Sequence, residues 1–154
     1  TMPSYGYWLE QGATTMWEQW EQPLSGNHPM FGGGIVWLYR NLAGMNADPA
    51  DPGYRRIVFC PGPVDEITHC SYENLTPYGM ASISWEKQNN KFFTEINVPV
   101  GSSAIIYLPC GDKGPVRENG RRTGKRSGII FREFTGRHAV YEVGSGKYRF
   151  ESTM

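Results

Sequence analysis

Two periodicities divide the chain. Up to Gly44 the apolar positions recur at helical spacing: Phe31, Ile35, Leu38 and Leu42 fall at i, i+4, i+7 and i+11, one stripe on a single helix. Pro29 suits the first helical position, Asn27 or His28 can cap the start, and Gly44 can close the end. Gly32, Gly33 and Gly34 each cost such a helix ~1 kcal/mol against alanine, which points to close approach by another backbone or a ligand. An earlier helix is expected over SYGYWLEQ, residues 4–11, with Gly12 as its stop, while residues 13–20 suit either an extended or a helical path.

Beyond residue 54 the period changes to two. Segments 56–59, 67–74, 79–87, 91–98 and 103–108 read as strands, and Ala81, Ile83 and Trp85 share one face against Ser82, Ser84 and Glu86 on the other. Asn89-Asn90 is a hairpin turn candidate, because asparagine tolerates positive φ. Three further strands are expected at 128–134, 138–143 and 147–151, separated by Thr135-Gly136 and Gly144-Ser145-Gly146. Short strands at this spacing predict an antiparallel β-sandwich. The stretch NADPADPGY, residues 46–54, carries the turn residues between the two regimes. The expected organisation is a short α-helical segment, 1–48, before a mainly β domain, 49–154. The first segment is too small to bury its own Trp-rich faces, since pieces below ~40 residues rarely fold unaided, and so must lean on the sandwich or on further sequence.

Composition narrows the function. With 15 basic and 15 acidic residues the net charge is zero, so no positive field favours nucleic acid and no basic amphipathic face favours a lipid surface. No apolar run approaches the ~18 residues of a spanning helix. Aromatic residues make up 14%, beside 19 glycines and 11 prolines, a mixture suited to short strands, tight turns and ring surfaces. Cys60, Cys70 and Cys110 form no C-x-x-C pair and are expected as partly buried thiols, and His28, His69 and His138 show no metal-ligand spacing, so neither metal nor cofactor is implied. The basic run Arg117, Arg121, Arg122, Lys125 and Arg126 lies in a Gly-rich, apolar-poor stretch, 111–128, expected to be a mobile solvated loop. Thr1-Met2-Pro3 carries no charged n-region or apolar h-region, and Trp-rich helical sequence begins almost at once, as expected of a fragment.

The candidate chemistry lies in GATTMWEQWEQPLSGNHPMFGG, residues 12–33. Trp17 and Trp20 flank Glu18. Indole rings stack on the C–H faces of a sugar while a carboxylate accepts protons, and His28 can donate a hydrogen bond to a sugar hydroxyl. Spacing alone leaves the alternative equally in view: tryptophans three apart suit a helix core, a glutamate beside them suits a solvated surface, and a histidine before proline suits a turn.

Further blocks add to it. YGYWLEQGATTMWEQW, NHPMFGG, WLYRNLAG and DPGYRRIVFCPGPV follow in order over residues 5–64, then TPYGMASISWEK, FFTEINVPVGSSAIIYLP and EVGSGKYRF. This series resembles the C-terminal part of bacterial α-L-rhamnosidases of glycoside hydrolase family 78, over nearly the whole chain. The resemblance implies the last helices of an (α/α)6 catalytic barrel followed by a C-terminal β-sandwich. It implies that Glu18 is the general base of an inverting hydrolysis, that His28 lines the rhamnose subsite, and that Trp17 and Trp20 are cleft wall or support. The substrate implied is a rhamnose-containing glycoside or polysaccharide. The family's general acid belongs to an upstream Asp- and Arg-containing block with no counterpart here; Asp65, Glu66 and Glu86 match no catalytic position. The chain alone is therefore expected to be inactive, to need the remainder of the barrel as partner, and to self-associate through uncovered apolar faces. The alternative is a non-catalytic carbohydrate-binding or structural sandwich. Trp85, Tyr78 and Tyr107 would be its ring surface, although their alternation with polar neighbours places them in the core.

Overall fold

The computed structural model describes residues 2–21, 24–111, 114–123 and 128–154. It divides into two compact units, Thr1–Leu38 and Tyr39–Met154.

In the first unit, helix α1 spans Tyr5–Glu10, and Ser4 caps it by accepting a hydrogen bond from the Tyr7 amide at 3.0 Å. The expected single helix after Pro29 is instead three kinds of helix in succession: a 3₁₀ turn over Pro29–Gly32, α2 over Gly33–Trp37, and a π-helical stretch over Leu38–Leu42. Three successive glycines supply little helical preference, so the local winding is set by packing rather than by propensity. His28 occupies the N-cap position but its side chain makes no capping bond. Half of the predicted apolar stripe stays open: Ile35 and Leu38 are close to half exposed, whereas Leu42 is buried and Phe31 packs on Trp8 and Trp20.

The second unit is a two-sheet β-sandwich. Its strands are β1 (Met45–Ala47), β2 (Arg56–Phe59), β3 (His69–Thr76), β4 (Gly79–Gln88), β5 (Lys91–Val98), β6 (Ser103–Pro109), β7 (Arg117–Glu118), β8 (Arg121–Arg122), β9 (Ile129–Thr135), β10 (His138–Val143) and β11 (Gly146–Thr153). One sheet has the order β1-β2-β6-β10-β9 and the other β3-β4-β5-β11-β7-β8. The pairing is antiparallel except between β2 and β6, which run parallel because β3, β4 and β5 form the crossover in the opposite sheet. Asn89 takes φ 55° in the β4–β5 hairpin, the conformation its side chain tolerates.

Alternation decides which face is core. Ile57, Phe59, Ala104, Ile106 and Leu108 from one sheet meet Ala81, Ile83, Ile96 and Phe150 from the other, all at 3% exposure or less. Burying each of the larger side chains contributes roughly 1.5–3 kcal/mol. A satellite cluster joins Trp85, Phe92 and Leu42, in which the Trp85 indole N–H donates to the Leu42 carbonyl at 2.9 Å.

Several expectations are corrected. A strand, Met45–Ala47, begins just before the turn-rich stretch, because its pairing with Ile57–Phe59 is long-range and leaves no local signal. The basic stretch is not wholly loop: β7 and β8 form a small hairpin, with Val116 and Glu118 buried. Arg117, Arg121 and Arg122 are exposed there, while Lys125 and Arg126 lie outside the described residues. Tyr78 is 40% exposed rather than core, because it sits in the β3–β4 turn where the Thr76 hydroxyl accepts from its amide at 3.1 Å. Cys60, Cys70 and Cys110 are free thiols whose pKa values burial raises, which makes them poor nucleophiles.

Asp48 organises the turn between β1 and β2. Its carboxylate accepts from the Ala50 amide at 2.8 Å and from the Arg56 guanidinium at 2.5 Å. The Ala50 hydrogen bond, helped by Arg56, lowers its pKa against the opposing effect of burial. A carboxyl held below its unfolded value adds stability above about pH 4 that is lost as pH falls through the folded value. Asp48→Asn should therefore flatten the acid limb of a stability–pH profile measured by urea denaturation from pH 7 to pH 2, and an unchanged acid limb contradicts this.

Candidate active site

Between α1 and Pro29 the described residues form neither helix nor strand but two bent segments tied together. The His28 amide donates to the Met16 carbonyl at 2.7 Å and the Glu18 amide to the Ser25 carbonyl at 3.1 Å. The Thr15 hydroxyl adds a bond to the Gly26 carbonyl. These antiparallel ties bring the backbone of Glu18 and that of His28 onto adjoining segments although ten positions separate them. Thr15 and Ser25 are the positioning residues that the sequence did not single out. Their signal is compositional only, a Thr-Thr pair and a Ser-Gly pair of the kind that bonds to neighbouring backbone.

Glu18 is half-buried, and its carboxylate has no side-chain partner among the described residues. A carboxylate in that state has both oxygens available to accept a proton or a hydrogen bond. His28 is also half-buried, and its ring makes no hydrogen bond among the described residues.

The two tryptophans differ. Trp20 packs on both Trp8 and Phe31, with ring centroids 4.6 Å away in each case and those two rings 5.5 Å apart, and its carbonyl accepts from the Trp8 indole N–H at 3.2 Å. Trp17 meets one ring among the described residues, Trp8, at 6.1 Å. Trp8 is the hub of this cluster at 3% exposure, and Tyr5 closes it by donating to the Phe31 carbonyl at 2.5 Å. The cluster holds the Glu18 segment rigid, with Trp20 inside it and Trp17 at its margin. Beside it runs an apolar trough of about 460 Å³ lined by Tyr5, Trp8, Leu9, Met16, Ile35 and Leu38. No group of three or more metal-ligating side chains occurs among the described residues.

Comparison with known proteins gives the family. The bacterial α-L-rhamnosidase six-hairpin glycosidase domain matches residues 1–42, and the bacterial α-L-rhamnosidase C-terminal domain matches residues 44–123. An α-L-rhamnosidase of Streptomyces avermitilis is 33% identical over 97% of the chain, which spans 15% of that protein. The solved α-L-rhamnosidase of Dictyoglumus thermophilum superposes with TM-score 0.87 at 35% identity, over all of this chain and 18% of that one. The Streptomyces avermitilis α-L-rhamnosidase complexed with L-rhamnose superposes with TM-score 0.85 at 30% identity, over 99% of this chain and 15% of its own. The chain thus belongs to the bacterial α-L-rhamnosidase family of glycoside hydrolases, whose glycosidase-domain and C-terminal-domain models match consecutive stretches of it.

Proposed function

We propose that the chain is part of an α-L-rhamnosidase that removes terminal α-L-rhamnose from glycosides or polysaccharides with inversion, and that Glu18 is its general base. The observation that carries this reading is the Glu18 carboxylate, without a side-chain partner among the described residues and held by backbone ties beside a tryptophan cluster. In the step envisaged, Glu18 takes a proton from water as the water oxygen bonds to the anomeric carbon. The glycosidic C–O bond breaks on the opposite face, and an acid in the upstream barrel protonates the departing oxygen. The two carboxyl groups of such a pair stand ~6.5–9.5 Å apart, leaving room for the water. His28 contacts a rhamnose hydroxyl, Trp17 serves as wall and Trp20 as support.

In this reading, residues 1–48 are the last helices of an (α/α)6 barrel and residues 49–154 a buttressing sandwich. The open apolar trough beside α1 receives the rest of the barrel, and in its absence drives self-association, since exposed patches of that kind seldom stay solvated. The chain alone lacks the acid and is inactive. The test compares this chain with the longer protein on an aryl α-L-rhamnoside, following the anomer formed first by proton NMR. The longer protein should release β-L-rhamnose and the chain alone nothing. Release of the α anomer, or turnover by the chain alone, would contradict the reading.

A further inference from the structure

The period-two pattern that buries one face of the second sheet leaves a polar face outward. Register places Ser71, Ser84, Glu95 and Arg149 in one row across β3, β4, β5 and β11. Glu73, Ser82, Asn97 and Lys147 form the next row by the same pairings. Ser71 on the edge strand β3 and Ser82 and Ser84 on the adjoining β4 stand together with longer side chains around them, so this side of the face is hollow. Two cavities of about 370 and 400 Å³ lie on it and share Ser71, Ser84, Glu95 and Arg149, which makes them one trough. Its combined size falls within the ~300–1,000 Å³ of small-ligand sites, and four strands at ~4.8 Å spacing give it a length of about 14 Å.

Several of the groups that line it are unspent, while the Asn97 amide donates to the Met80 carbonyl at 2.5 Å. The hydroxyls of Ser71, Ser82 and Ser84, the Glu73 carboxylate and the Lys147 ammonium have no hydrogen-bond or ion-pair partner among the described residues. Arg149 and Glu95 form an open pair at 3.3 Å, with both side chains more than 60% exposed. At one end, Phe93 presents a half-buried ring on the same face, paired with Glu86. Donors and acceptors alternate at short range, the carboxylates of Glu73, Glu86 and Glu95 outnumber the cations of Lys147 and Arg149 by one, and an aromatic face lies beside them.

We propose that this trough is a carbohydrate-binding subsite of the sandwich, taking a neutral oligosaccharide across β3, β4, β5 and β11. The excess of carboxylates over cations disfavours an anion, and an extended peptide would add at a sheet edge rather than lie across four strands. Sugar hydroxyls both donate and accept, matching the serines and their carboxylate, amide and cationic neighbours, while a C–H face stacks on Phe93. The choice of carbohydrate rests on the reading of the longer protein as acting on glycosides.

The test titrates the full 154-residue chain with methyl α-L-rhamnoside, cellotetraose and maltotetraose, following backbone amide shifts by NMR, with trigalacturonate as the acidic control. A saturable shift at Ser71, Ser84, Asn97 and Arg149 is expected for at least one neutral sugar, with Kd on the order of 1 mM. Ser84→Tyr, which fills the floor, and Arg149→Ala should each weaken it about 10-fold with unchanged Tm, and Glu18→Gln should leave it unaltered. Absence of saturable shifts, equal binding by both trough variants, or binding of trigalacturonate alone overturns the proposal. The two readings fail separately: rhamnoside turnover by the longer protein without sugar binding here removes only the subsite, and binding without turnover removes only the enzymatic reading.

Discussion

If Glu18 is the general base, Glu18→Gln in the longer protein should lower kcat for an aryl α-L-rhamnoside by ~10³-fold, inside the ~10²–10⁴ that general base catalysis supplies. Glutamine keeps the size of the side chain. The Glu18 amide bond to the Ser25 carbonyl belongs to the backbone and survives, as does the tie between His28 and Met16. What disappears is the proton acceptor alone, so KM should change little while kcat collapses, the pattern of an interaction made in the transition state. Near-normal turnover would remove Glu18 from the mechanism.

The largest expected effect on stability comes from Gly44→Ala. Gly44 has φ +81°, and its carbonyl accepts from the Cys60 amide at 2.7 Å. A β-carbon there would lie 2.2 Å from the Cys60 carbonyl oxygen, a backbone atom that cannot swing away. Left-handed strain of roughly 1–2 kcal/mol and loss of this contact should together cost about 3 kcal/mol. Gly53 supplies the control: its φ is +83° but nothing lies within 4 Å of the added carbon. Gly53→Ala should cost only the conformational part, roughly 1 kcal/mol. Urea denaturation midpoints of the two variants separate the terms, and equal losses would contradict the packing argument at Gly44.

The sandwich is legible where burial follows local alternation. Lys91–Val98 coincides with its period-two pattern, the bounds of His138–Val143 agree although its burial does not alternate, and Asn89 and Gly44 stand where turn and capping chemistry place them, while Ser4, expected within the first helix, caps it. Illegible were the features set at a distance. The parallel β2–β6 pairing, the β1 strand and the Trp85 bond to Leu42 join residues with no local signature of one another. The helical run after Pro29 kept its position but not its winding, because three glycines leave the pitch to the surroundings.

The candidate site divides in the same way. Glu18 and His28 were named through the G-A-T-T-x-W-E-x-W and N-H blocks, whereas spacing by itself left Trp17 and Trp20 equally suited to wall and core. The ring geometry separates them, with Trp20 packed on Trp8 and Phe31 at 4.6 Å each and Trp17 at the margin, 6.1 Å from Trp8. Thr15 and Ser25 escaped because a hydroxyl or carbonyl that ties two loops resembles any other turn residue until its partner is known. The trough on the second sheet was hidden for a different reason: alternating serines and charges also describe an ordinary solvated face.

The role of Glu18 is tested most directly by Glu18→Ala in the longer protein with sodium azide. Azide is an anionic nucleophile and needs no base, so it can attack the anomeric carbon from the side the activated water would use, as the aglycone leaves. If Glu18 is the base, azide restores aglycone release and the product is the β-L-rhamnosyl azide. Release that does not respond to azide, or an α-configured azide product, would contradict the assignment.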